Sequence, residues 1–226
     1  MADRSIYRFA GTDGPVDVTG CDAVSRYFPD IFPNWPYEQL DSTLDSSEPV
    51  FQLSTAKKGY HLSSDQYELD QQLNDPLNAA CSIVAELAWA RLRAEPDLLC
   101  FHGAAIEYNG SLVLIPSQRR AGKSTLTACL LARGRRLFTD DFLPLRLGQD
   151  GRLYGLANGA TPRLRLPLPE GFSPKIKRQI MALAGPRNQQ YLYLTPKEGQ
   201  LAKHGECLPV SAVVLLDRGD DRESDL

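Results

Sequence analysis

Ile115-Pro116-Ser117-Gln118-Arg119-Arg120-Ala121-Gly122-Lys123-Ser124-Thr125 is the stretch on which the reading of this chain turns. The apolar residues 112–115 lead into it, and a helix-like run at 126–132 leads out. Strand, loop, Gly-Lys-Ser and helix is the layout of a phosphate-binding P-loop, with the pattern G-x-x-x-x-G-K-[ST]. Ser117 stands where that pattern has its first Gly. A tight loop into a helix start aims several backbone N–H groups at one point, which suits concentrated negative charge. Residues Ser117, Gln118, Arg119, Arg120, Ala121, Gly122, Lys123, Ser124 and Thr125 are therefore expected to bind ATP. Gly122 lets the backbone approach, Lys123 is expected to reach the β and γ phosphates, and Ser124 is expected to ligate Mg²⁺. Arg119 and Arg120 add positive charge.

Two further groups belong with the loop. Residues 98–107 and 111–115 are apolar runs separated by Tyr108-Asn109-Gly110. Asn-Gly between such runs is a strong hairpin signal. The strand that feeds the loop is thus expected to pair with the strand carrying His102. That pairing brings His102 to the sheet end from which the loop emerges. Downstream, a helix from about 123 to 133 is expected to end at Gly134. A short strand follows, and Asp140-Asp141 sits at its end. Carboxylates there can hold Mg²⁺ or take a proton from an attacking hydroxyl. An acidic turn for the Asp pair and a core position for the His are the plainer alternatives.

Upstream, residues 5–20 read as a hairpin, 29–49 as Pro-rich loop or meander, and 50–53 and 59–62 as short strands. This β-rich region, residues 1–75, has aromatics that read as loosely packed at the surface. Asp75 caps a helix with Pro76 at its first position; the helix keeps one apolar face through residue 92 and stops at Pro96. Past the Asp pair, 142–147 is extended, 149–151 a turn, and 160–169 too rich in Pro for a helix. Residues 175–184 read as a short helix, 191–194 as a strand, and 210–216 as a central strand. Residues 76–218 are read as the P-loop domain and 219–226 as a polar tail.

The chain has 226 residues and a net charge of −3, with no global basic field for nucleic acid. The charge is uneven: residues 1–75 carry 13 Asp+Glu against 5 Lys+Arg, and the rest carries 15 against 20. The basic part contains the loop, as a polyphosphate ligand requires. Five Cys without a C-x-x-C pair read as buried free thiols in a reducing compartment. No apolar run approaches the roughly 20 residues of a membrane span, and a cytoplasmic protein is expected.

The ordered set Phe101-His102-Gly103-Ala104-Ala105, Asn109-Gly110, Lys123-Ser124-Thr125, Arg133-Gly134 and Asp140-Asp141 resembles the catalytic domain of HPr kinase/phosphorylase, and more closely its HPr kinase-like relatives. The resemblance covers roughly residues 98–145. It implies an α/β fold with α+β character, a P-loop kinase core of the HPr kinase/PEP carboxykinase-like type. It also implies an ATP- and Mg²⁺-dependent kinase acting on a serine hydroxyl of a protein or precursor peptide, and a tendency to form homo-oligomers. By position, Asp140 would be the general base working with His102, Lys123 would act on the phosphates, and Asp141 would assist with metal. The family's later signature, an acidic residue followed by Arg-Gly-x-Gly, is missing, so the reverse phosphorylase reaction is not expected. Nucleotide binding without transfer, and a P-loop ATPase or small-molecule kinase, remain the competing readings.

Overall fold

The computed structural model describes residues 5–10, 16–40, 50–116 and 121–216. Ser117, Gln118, Arg119 and Arg120 lie outside the described residues, as does the polar tail. The chain is a mixed α/β protein dominated by strands. The elements are β1 (Ile6–Phe9), β2 (Val16–Thr19), α1 (Phe28–Ile31), β3 (Tyr37–Leu40), β4 (Phe51–Thr55), β5 (Tyr60–Ser64) and β6 (Leu69–Leu73). They continue with α2 (Pro76–Ala94), β7 (Leu99–Tyr108), β8 (Ser111–Pro116), α3 (Lys123–Ala132), β9 (Leu137–Thr139), β10 (Phe142–Leu147) and β11 (Leu153–Leu156). The last are β12 (Arg163–Arg165), α4 (Pro174–Met181), β13 (Ala184–Arg187), β14 (Tyr191–Leu194) and β15 (Cys207–Val213).

The first six strands form one sheet in the order β3-β1-β2-β4-β5-β6. The hairpin expected at 5–20 is present as β1 and β2. The described part of the meander expected at 29–49, residues 29–40, holds more order than its Pro content indicates: α1, then β3 paired with β1. β6 has no counterpart among the expected strands. Most aromatics of this region are not surface groups, Tyr37 being the exposed one. Tyr7, Phe9, Phe28, Phe32, Trp35 and Phe51 are buried, and Phe9, Phe28 and Phe32 meet at centroid distances from 4.7 to 5.6 Å. Their burial follows from what covers the sheet. α2 lays Leu77, Ala80, Ile83, Val84 and Leu87 on the same core. Its cap is as the sequence predicts: the Asp75 carboxylate accepts from the N–H groups of Leu77 and Asn78 at 3.0 Å.

The second sheet is built on the hairpin β7–β8, with Asn109 at φ 49° and Gly110 at φ 75° in the turn. β9 and β10 run in sequence along the other edge of β7, one after the other. β10 then pairs with β11, β11 with β15, and β15 with β8 in parallel. The pairings close a ring: β7, β10, β11, β15, β8 and back to β7. Leu112, Leu114, Phe138 and Leu143 belong to one core of this unit. Ala104, Ile106 and Ile115, of alternate facing along β7 and β8, belong to another, shared with α3, α4 and the three-stranded sheet β12-β14-β13. Among the five Cys, only Cys21 is buried; Cys81 and Cys129 are half-buried and Cys100 and Cys207 are exposed.

A seam joins the two sheets. The Asn34 amide donates to Leu201 O at 2.9 Å, Thr161 Oγ1 donates to Asp30 O and Ile31 O at 2.9 and 3.0 Å, and the His204 N–H donates to Asn34 O at 2.9 Å. The His204 ring stacks on Trp35 at 4.5 Å, and its Nε2 is buried without a hydrogen-bond partner among the described residues. Burial, with the positive charge of Arg91 nearby, pushes the His204 pKa down to about 4. The unfolded chain therefore binds more protons than the folded one between the ordinary His value and pH 4, and stability falls as pH drops through that window. Replacing His204 by Phe keeps an aromatic ring against Trp35 and removes the titration. Urea midpoints measured from pH 7 down to pH 4.5 are expected to fall more steeply for the natural chain than for His204→Phe. Parallel curves would show that the ring carries no such linkage.

Candidate active site

The hairpin register sets the site. Gly103 pairs with Pro116, so His102 stands across from the point where β8 gives way to the loop. A side chain at 103 would stand 2.9 Å from Ile115 O, so Gly103 is what lets the two strand ends come together. On the other edge, His102 pairs with Phe142, and the Gly103 N–H donates to Asp141 O at 3.0 Å. The hairpin thus brings the loop exit and the Asp140-Asp141 bend to the same end of β7. Thr139 shapes that bend: its Oγ1 accepts from the N–H groups of Asp141 and Phe142 at 3.3 and 3.2 Å.

Gly122 precedes α3 with φ 99°, a left-handed angle that costs glycine nothing. Lys123 opens the helix. Its side chain is only 11% exposed, and Nζ lies 3.5 Å from Asp141 Oδ1. His102 Nδ1 lies 3.5 Å from that same oxygen. One carboxylate oxygen therefore sits between a cation and an imidazole. Ser124 and Thr125 occupy the first turn of α3 and are half-buried, and Ala121 is half-buried just before it. Four of the nine residues expected in the loop, 117 to 120, lie outside the described residues.

The two Asp residues have opposite environments. Asp141 is 56% exposed at its side chain, whereas Asp140 is buried. Burial, and then the neighbouring Asp141 charge, pushes the Asp140 carboxyl up to about 6; Arg163 and Lys123 pull the other way. The family resemblance pairs His102 with Asp140, but the carboxylate within reach of His102 here is Asp141. The bend between β9 and β10 buries the first Asp and leaves the second exposed, and it is the second that lies within reach of the imidazole.

Arg163 enters the site from a segment that sequence reasoning touched only in passing. Its backbone N–H donates to Asp140 Oδ2 at 3.3 Å. Its guanidinium donates to Cys81 Sγ on α2 at 2.9 Å and stacks over Tyr191 at 4.4 Å. The buried carboxylate is thus tied to β12, α2 and β14 at once. No residue-type signal marks a backbone donor, and nothing in the Pro-rich run 160–169 points to Asp140.

The oxygen donors present are the Asp140 and Asp141 carboxylates and the Ser124 hydroxyl. Among the described residues, no group of three or more His, Cys, Asp and Glu forms a metal cage. That donor set fits Mg²⁺, which takes one or two carboxylates and completes its shell with phosphates and water, and it does not resemble a structural zinc site. Among the described residues, no helix is long and apolar enough to cross a membrane.

No family model matches the chain. The chain is 28% identical over 109 residues to the HPr kinase/phosphorylase of Lachnoclostridium phytofermentans, a stretch that is 46% of this chain and 35% of that protein. The matched stretch therefore spans about a third of the relative's length. Among solved structures, the HPr(Ser) kinase/phosphatase from Coxiella burnetii is similar at 18% identity and a TM-score of 0.35, covering 56% of this chain and 71% of that one.

Proposed function

We propose that this chain, which resembles part of an HPr kinase/phosphorylase, is an ATP- and Mg²⁺-dependent kinase that transfers the γ-phosphate to a serine hydroxyl of a protein or peptide. The observation that supports it most is the meeting of Lys123, His102 and Asp141 at the start of α3, with the buried Asp140 beside them. In this reading residues 76–218 carry the kinase, residues 1–75 flank it, and the protein works in the cytoplasm. The loop 117–125 holds the ATP phosphates, and Lys123 supplies the cation against the β and γ groups. Mg²⁺, held by Ser124 and Asp141, would neutralise charge on those phosphates when bound. Asp140, the general base, takes the serine proton as the hydroxyl oxygen forms its bond to the γ phosphorus. The bond from that phosphorus to the β–γ bridging oxygen breaks, and ADP leaves with the electron pair.

A carboxylate raised to about 6 suits this task, because it is still ionised at neutral pH and more basic than an ordinary Asp. His102 acts on Asp141 at 3.5 Å and helps hold that carboxylate in place. Incubation with γ-labelled ATP, Mg²⁺ and serine-containing peptides tests the reading. Asp140→Asn is expected to lower transfer by about 10²-fold or more while ATP affinity stays nearly unchanged. Transfer that survives the substitution would remove Asp140 from the role of base. Ser117 in place of Gly and the missing Arg-Gly-x-Gly signature favour a second reading, a nucleotide-binding protein without transfer. ATP binding with no labelled peptide from any acceptor would select it.

A further inference from the structure

The geometry points to a docking face for an acidic polypeptide on the layer formed by β12, β14, β13 and α4. Residues 163–194 contain Arg163, Arg165, Lys175, Lys177, Arg178 and Arg187 against a single acid, Glu170. Arg165, Lys175, Arg178 and Arg187 are exposed and Lys177 is half-buried. None of these five takes part in an ion pair among the described residues. Elsewhere the same molecule does pair its cations: Arg136 is held by both Glu107 and Glu206, at 2.7 and 2.6 Å. Among the described residues, the cations of this layer are therefore left without a paired acid.

The fold fixes where they point. Ile176 and Ile180 of α4 and the nearby Leu183 seat on the core shared with Leu164, which leaves Lys175 and Arg178 outward. The helix covers α3, the helix that begins at Lys123, and residues 121–139 contain no acid at all. The layer also starts at the candidate site. Arg163 donates its N–H to Asp140, and Arg165 follows two residues on, about 6–7 Å further along an extended strand. Tyr191 lies beneath both guanidiniums, at 4.4 and 5.8 Å. A chain of acidic residues laid over Arg165 and α4 would thus run toward Asp140.

A polypeptide suits this face better than a nucleic acid. The cations are few and local, the whole chain carries −3, and residues 1–75 carry −8, so a long polyphosphate would meet repulsion beyond the patch. Tyr191, a ring that could stack on a base, is already covered by two arginines. The partner is therefore a short acidic segment. On the kinase reading above, that segment carries the accepting serine, and charge complementarity sets its rate of encounter and its register.

The test uses the full chain without nucleotide. A fluorescent 15-residue peptide of Glu with one central Ser is titrated by anisotropy at low and at physiological salt. A matching Gln peptide and a single-stranded DNA of 15 nucleotides serve as comparisons. The Glu peptide is expected to bind, the Gln peptide to bind at least about tenfold more weakly, and affinity to fall with salt. The combined variant Lys175→Glu, Lys177→Glu, Arg178→Glu is expected to weaken the Glu peptide about tenfold or more. Arg165→Glu, on a separate element, gives the same direction if the combined variant does not fold. Equal binding of the two peptides, no loss in either variant, or preference for the DNA would overturn the docking face. So would salt-sensitive self-association that accounts for the signal. Transfer of label from ATP is measured in parallel. Binding without transfer would sink the kinase reading and leave the face standing; equal transfer to both peptides would do the reverse.

Discussion

Lys123→Ala is expected to weaken ATP binding by about a hundredfold or more, because a buried-stemmed cation facing phosphates contributes about 3 kcal/mol. The side chain is 11% exposed, so its stem is held and its ammonium reaches the site without much loss of rotamer freedom. Titration calorimetry with Mg²⁺ and ATP measures the effect directly. The folded state should hardly notice the change. The partner within reach is Asp141, which is 56% exposed, and such pairs contribute roughly 0–1 kcal/mol. A thermal midpoint close to the natural chain's therefore accompanies the loss of binding. Unchanged ATP affinity in Lys123→Ala would place nucleotide elsewhere and remove the basis for the loop as a phosphate site.

Gly159→Val is expected to lower stability by about 3 kcal/mol or more, which in a chain of this size is roughly a 10 °C fall in Tm. Gly159 has φ +75°, a region that a β-branched residue adopts only under strain. A Cβ there would stand 2.7 Å from both C and O of Asn34, and 3.0 Å from the Trp35 N. These are backbone atoms, so no rotamer change relieves the contact. The strain falls on the seam, where Asn34 N–H also donates to Gly159 O at 3.4 Å. Thermal melts by circular dichroism check the magnitude. A midpoint equal to the natural chain's would mean that residues 34–35 move aside freely, and that the seam does not fix the two sheets.

Much of the scaffold of the site was legible because its signals are local. Asn109-Gly110 marks the turn of β7 and β8, Asp75-Pro76 marks the start of α2, and Gly134 at φ 85° marks the end of α3. Once the hairpin is assigned, the meeting of His102 with the loop exit follows from register. What stayed hidden depends on distant partners. β3 pairs with β1, but nothing in Tyr37-Glu38-Gln39-Leu40 names that neighbour. The aromatics of residues 7–51 looked superficial because the helix that buries them arrives only at residue 76. At the site, Arg163 reaches Asp140 through a main-chain N–H across 23 positions of sequence, a contact to which residue identity contributes nothing. Which of two adjacent carboxylates faces the imidazole is likewise a matter of the bend between β9 and β10.

β8 has β15 as its parallel neighbour, and β15 also joins β8 to β11. The order of synthesis therefore matters. When residue 125 has left the ribosome, the loop sequence is complete, yet one side of β8 lacks its partner until residues 207–213 have followed. The sheet of β1 to β6 and α2 is finished long before, with its own apolar core. Domains generally fold as units in the order they are made, whereas long-range parallel pairing is slow. Ring closure by β15 is thus expected to come late in assembly, so a nascent chain would acquire its folded first sheet early and a fully paired β8 only after residue 213 has emerged.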